Sequence, residues 1–152
     1  MEQYKSFTPQ FRIVSEPSSI RRVKLKSSNE VADYLKELYQ SNGDDINVVE
    51  HVYVLSLNNA NNVTGFMKLG SGTIASSVVD FRVLFKFVID SLSVSFIVSH
   101  NHPSGSLIPS NADIELTKKL KEASRVLDLK LLDHIILSYD GHYSFANESS
   151  LL

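Results

Sequence analysis

The stretch INVVEHVYVLSL, residues 46–57, limits the fold more than any other part of the chain. Its β-branched, aromatic and aliphatic residues occupy both parities of an extended backbone, so a strand made from it needs cover on both faces. A central, buried strand meets that need. Asn58, Asn59, Ala60, Asn61 and Asn62 then signal a turn, and Val63–Leu69 returns as a second strand, which predicts a hairpin. Cover must come from helices. Ser27, Ser28, Asn29 and Glu30 form a capping-box pattern, and Val31, Leu35 and Leu38 give the helix that follows an apolar stripe until Ser41, Asn42 and Gly43 end it.

Downstream, strand and helix patterns alternate. Gly70, Ser71 and Gly72 break the hairpin, and Ser77, Val78, Val79 and Asp80 read as a second capping box. It opens a helix to about Leu92 with Phe81, Leu84, Phe85, Val88 and Ile89 on its apolar face. Val94–Val98 is a short strand running into His100. Ser110 can cap a helix to about Leu127, with Leu116, Leu120, Ala123 and Leu127 on one side. Leu129–Ser138 reads as another buried strand, and Tyr139, Asp140 and Gly141 turn into a last strand, His142–Ala146. The alternation implies an α/β fold, a mixed sheet flanked by helices. Residues 1–26 read as an irregular arm with one or two short strands, and residues 27–152 as one domain. At 152 residues and 43% hydrophobic, the chain can bury a single sizeable core.

Composition narrows the chemistry. The chain has no cysteine, so disulfides, thiolate nucleophiles and cysteine-based zinc sites are excluded together, and a metal site must use histidine and carboxylate ligands. A net charge of -2 with a pI near 6.2 argues against a dedicated nucleic-acid binder. The basic runs Arg21–Lys26 and Lys118–Lys121 read as solvated faces of a strand and a helix. No apolar run is long enough to span a bilayer, and the N-terminus lacks the layout of a signal peptide. The expected location is cytoplasmic, with no membrane partner.

The stretch SHNHPSGSLIPSNAD, residues 99–113, carries the chemistry. Alternation along a strand puts His100 and His102 on one face and Asn101 on the other. The Pro/Gly loop can double the chain back to Asp113, which lies three, four and seven residues before Leu116, Thr117 and Leu120 and so faces the core. Two imidazoles and a carboxylate suit a catalytic zinc whose fourth position holds water of lowered pKa. Glu50 is the candidate base, because an ionisable group within an apolar strand needs a partner or a task. The plainer reading is that Ser110 and Asp113 merely cap a helix.

These residues, His100, Asn101, His102, Pro103, Ser104 and Gly105 through Pro109, Ser110 and Asp113, resemble the H-x-H-x7-S-x2-D signature of the JAMM (MPN+/JAB) metallo-isopeptidases. The HNHPSG wording is similar to their bacterial RadC branch. The likeness extends from about Glu50 to the C-terminus, including Leu132–Ile135 and Tyr143–Phe145. It implies a cytidine deaminase-like fold, zinc on His100, His102 and Asp113, and Glu50 activating water and shuttling its proton. Ser110 would stabilise the oxyanion if its hydroxyl points into the site rather than at the helix N-terminus. The implied substrate is a peptide or an isopeptide-linked protein. Longer members carry a helix-hairpin-helix domain ahead of this one, for which these residues have no room, so the family's DNA-repair label is a weaker expectation here.

Other residues carry less. His134 follows Asp133 in a buried strand and fits either a support for a metal ligand or a satisfied core Asp–His pair. His51, expected to face opposite Glu50, and His142, beside a turn, read as structural or surface residues. Gly70–Gly72 lacks the GK[S/T] of a P-loop and reads as a turn near the site's rim, and Ser104 lacks a G-x-S-x-G context. The sequence favours a zinc-dependent hydrolase. The alternative is a DNA-linked accessory module that keeps the metal fold without peptidase activity.

Overall fold

A computed structural model describes residues 23–72 and 79–152. Helix α1 (Ser28–Ser41) precedes the hairpin β1 (His51–Leu57) and β2 (Val63–Ser71), then α2 (Phe81–Asp90), β3 (Ser95–Asn101), α3 (Asn111–Val126), β4 (Lys130–Leu137), β5 (His142–Ser144) and the short α4 (Phe145–Glu148). One mixed sheet runs β2-β1-β3-β4-β5. All neighbours are antiparallel except β3 and β4, which α3 joins as a parallel crossover.

Residue parity divides the core into two layers, as expected for a sheet covered on both faces. Tyr53, Leu55, Leu57, Ile97, Ile135 and Leu137 pack against α1. Val52, Val54, Phe96 and Val98 face the other way, toward Leu84, Phe85 and Val88 of α2 and Leu120 of α3. A bulge in β4 disturbs this order: Phe96 pairs with Leu131, but Ile97 pairs with Asp133. The extra residue reverses parity, so Leu131 and His134, three positions apart, share the α3 face.

Several expected boundaries shift for identifiable reasons. The strand read from Ile46 begins at His51, because the Asn101 side chain binds the preceding backbone: its amide donates to the carbonyls of Ile46 (2.8 Å) and Val49 (2.9 Å), and its oxygen accepts from His51 N (2.7 Å). Asp80 itself caps α2, accepting from Arg82 N; Ser77 and Val78 of the expected capping box lie outside the described residues. On that helix Phe87 is buried and Ile89 half-exposed, reversing the expected face at its C-terminal end. On α3 the stripe turns toward Asp113, Thr117, Leu120 and Ser124, leaving Leu127 exposed. The last strand stops at Ser144, where that hydroxyl caps α4 and Asp133 accepts from Ala146 N (3.0 Å). Residues 1–22 of the expected arm lie outside the described residues; in residues 23–26, Leu25 enters the core and Lys24 bridges Asn62.

Candidate metal centre

The C-terminal end of β3 and the first turn of α3 meet at one point, the position where open α/β sheets commonly place their ligands. His100 ends the apolar parity of Phe96 and Val98, so it too faces α3, fully buried. His102 follows two residues later, just past the strand, and its backbone N donates to the Leu137 carbonyl (2.8 Å). His100 Nε2 lies 3.0 Å from His102 Nε2 and 3.1 Å from Asp113 Oδ1, and His102 Nε2 lies 3.4 Å from Asp113 Oδ2.

Whether Asp113 caps the helix or serves the site has a geometric answer: it does both. Oδ2 accepts from the Ser110 backbone N and from its hydroxyl, each at 2.7 Å, while Asp113 N donates back to Ser110 Oγ (3.2 Å). Oδ1 is turned to His100. The capping box thus fixes the carboxylate's orientation, and the positive end of the α3 dipole favours its charge. Ser110, as the structure has it, spends its hydroxyl proton on Asp113.

Electrostatics follow from these contacts. Burial acts to raise the Asp113 carboxyl, but the imidazoles of His100 and His102 and the Ser110 hydroxyl outweigh it and hold the group well below the usual carboxylate range. Burial pushes His100 down, with Asp113 acting upward against it; His102, hydrogen-bonded to Asp113, is raised despite its partial burial. Glu50 adds an upward pull on both imidazoles, so its charge is felt in the site.

The donor set fits a cation. His102 Nδ1 lies 2.8 Å from the Ser106 carbonyl, which can only accept, so Nδ1 carries the proton and a neutral His102 presents a bare Nε2. The two Nε2 atoms and the two Asp113 carboxylate oxygens then face one another, with room for a proton or a metal ion between them. An ion ligated tetrahedrally at about 2.0–2.1 Å separates its ligand atoms by about 3.3 Å; the two Nε2 atoms lie 3.0 Å apart, and each lies 3.1 or 3.4 Å from one of the two carboxylate oxygens. His100, His102 and Asp113 can hold a metal ion.

The profile of the family described as RadC-like JAB domain matches residues 25–150. The chain belongs to this family. A UPF0758 protein of Flavobacterium johnsoniae is 46% identical over 99 residues, 65% of this chain and 43% of its own. Those of Finegoldia magna (47% over 96 residues, 63% and 43%) and Clostridium acetobutylicum (38% over 134 residues, 88% and 56%) are similar. The chain spans about half the length of the curated relatives it matches. No helix among the described residues is long and apolar enough to cross a membrane.

The RadC-like JAB sequence placed most of the site within one motif, but two contributions lie outside its reading. Glu50 is not inside a buried strand; it is partly exposed just before β1, its carbonyl accepting from Gly72 N (2.9 Å). Asn101, expected only to point away from the ligands, braces that segment from the opposite face of β3. A buried amide between two histidines was the available signal, since such a group needs partners. Asp133 does not meet the His134 ring. It accepts from His134 N, Ser144 Oγ and Ala146 N, and so anchors α4.

Proposed function

We propose that this domain is a zinc-dependent hydrolase that cleaves a peptide or isopeptide bond. The observation that carries the reading is the convergence of His100 Nε2, His102 Nε2 and the Asp113 carboxylate at 3.0–3.4 Å. Zinc held there supplies a Lewis acid that brings the pKa of water toward about 7. The chain's own groups do the rest. Glu50, whose charge reaches both imidazoles, takes a proton from the attacking water and returns it to the leaving amine nitrogen. The Ser110 hydroxyl donates to Asp113 Oδ2 and caps α3, so a role as donor to the developing oxyanion requires it to exchange that partner. The Asn101 amide keeps the backbone before β1 in place and so positions Glu50.

A DNA-linked accessory role would draw on the basic run of α3, but Lys118 is paired with Glu115 and Lys121 donates to the Leu151 carbonyl. The hydrolase reading is therefore preferred. Zinc-loaded protein is assayed against linear and isopeptide-linked fluorogenic peptides. The expected result is cleavage that His100→Ala loses together with zinc, and that Glu50→Gln loses while retaining zinc. Full activity in Glu50→Gln removes the proposed base.

A further inference from the structure

His134 lies in β4, fully buried, and the bulge at Leu131–Asp133 turns it toward α3. Its ring stacks on Phe145, centroids 4.9 Å apart and planes within 11°. Its two nitrogens meet two groups: Nε2 lies 2.8 Å from His100 Nδ1, and Nδ1 lies 2.6 Å from Thr117 Oγ1. The Thr117 hydroxyl is in turn 2.7 Å from the Asp113 backbone carbonyl, one helical turn earlier.

Donor counting fixes every proton in this chain. The Thr117 hydroxyl donates its single proton to the Asp113 carbonyl. Thr117 Oγ1 must then accept from His134, whose proton sits on Nδ1. A neutral His134 therefore has a bare Nε2, and that atom can only accept from His100 Nδ1–H. His100 is left with its Nε2 lone pair directed at Asp113 and His102.

We propose that His134 is a positioning residue that holds His100 in the tautomer able to ligate a metal. Zinc-bound histidines usually donate their free N–H to a carboxylate, a carbonyl or water. Here the acceptor is a neutral imidazole, which orients His100 without adding a buried charge. The relay also closes on itself. It starts from the backbone of one ligand residue, Asp113, and ends on another, His100, so α3 and β3 are registered against each other through β4. The inference rests on the metal reading above, but its tautomers are a property of the metal-free protein.

The test has two arms. Long-range 15N–1H correlation spectra of metal-free protein at pH 7.5 should show both His134 and His100 protonated on Nδ1. Finding His100 protonated on Nε2 overturns the proposal, whatever the protein does with zinc. In the second arm, zinc affinity is measured by chelator competition. His134→Phe keeps an aromatic ring against Phe145 but offers no acceptor, and should weaken zinc binding by about 10–100-fold. His134→Gln restores a carbonyl acceptor and should recover most of that loss. Equal affinity in the Phe variant and wild type overturns the proposal; wild type that binds no zinc removes the metal reading instead and leaves the spectra to decide. Should His134→Phe fail to fold, the spectra also decide.

Discussion

Two histidine–aspartate clusters flank the same end of this sheet, and they differ in what their lone pairs face. On the α1 side, Asp44 accepts from Tyr53 and from Lys68 Nζ (2.6 Å), and His51 Nδ1 meets Ser71 Oγ at 2.8 Å, 3.7 Å from Asp44. Each acceptor has a donor, and Lys68 supplies the compensating charge. Around His100, His102 and Asp113 the outward nitrogens are already engaged by His134 and Ser106, so the remaining acceptors face one another. Histidine and aspartate in proximity do not make a metal site. Lone pairs turned on one another can hold a metal ion, and they are so turned here because the acceptors behind the two rings, His134 Nε2 and the Ser106 carbonyl, take the rings' protons.

The largest effect expected from this contrast is at Asp113. Asp113→Asn should reduce zinc affinity by more than about 100-fold, whereas Asp44→Asn should leave it unchanged; chelator competition on both variants decides. Comparable losses in the two would dissolve the distinction between the clusters.

Next comes pH. Asp113 raises the His102 pKa, so in metal-free protein a proton competes for the metal's place. Zinc affinity should therefore fall as pH drops through and below the raised His102 value. For folding the sign differs by group. His100 and His134 are depressed by burial, so the unfolded chain binds protons that the folded one does not. Stability of metal-free protein should decline below the unfolded value of about 6.5, by about 1.4 kcal/mol per pH unit for each histidine still neutral when folded. His102 opposes this, its stabilisation being present at low pH and lost as pH rises through its raised value. Urea titrations from pH 7.5 to 5 measure the balance, and a rise in stability on acidification would contradict the dominance of the two buried rings.

A smaller effect separates positioning from ligation. Asn101→Ala leaves the buried His51 N without its acceptor, at a cost of about 1–3 kcal/mol. It should speed hydrogen exchange in residues 46–51 and reduce hydrolysis while changing zinc affinity only a few-fold. The smallest change is expected from Asp44→Asn in stability, about 1 kcal/mol by chemical denaturation, because Lys68 is partly solvated.

What the sequence disclosed and what it withheld divide along the same physical line. The His100, His102 and Asp113 set was legible because strand parity and helix phase are local rules, and the resemblance to the JAMM signature rests on that one stretch. Ser110 as a cap was legible for the same reason. The start of β1 was not, since it is set by Asn101, about fifty residues downstream. Of the two roles read for His134, the structure has it against His100 rather than paired with the Asp133 carboxylate, but the face it takes was not legible, because one extra residue in β4 reverses parity and nothing local in Leu131–His134 marks a bulge. The covering of the central strand was read correctly in kind, but Phe87 replaces Ile89 where α2 meets the sheet. Those choices are made by packing partners that sequence neighbours do not reveal.

The most direct test of the central claim is the zinc X-ray absorption spectrum of protein loaded with one equivalent of the metal. The account predicts scattering from two imidazoles and a carboxylate oxygen, with nitrogen and oxygen at about 2.0–2.2 Å, and the loss of that bound zinc and its imidazole scattering in His100→Ala. A spectrum without imidazole scattering, or one unchanged by His100→Ala, would contradict it.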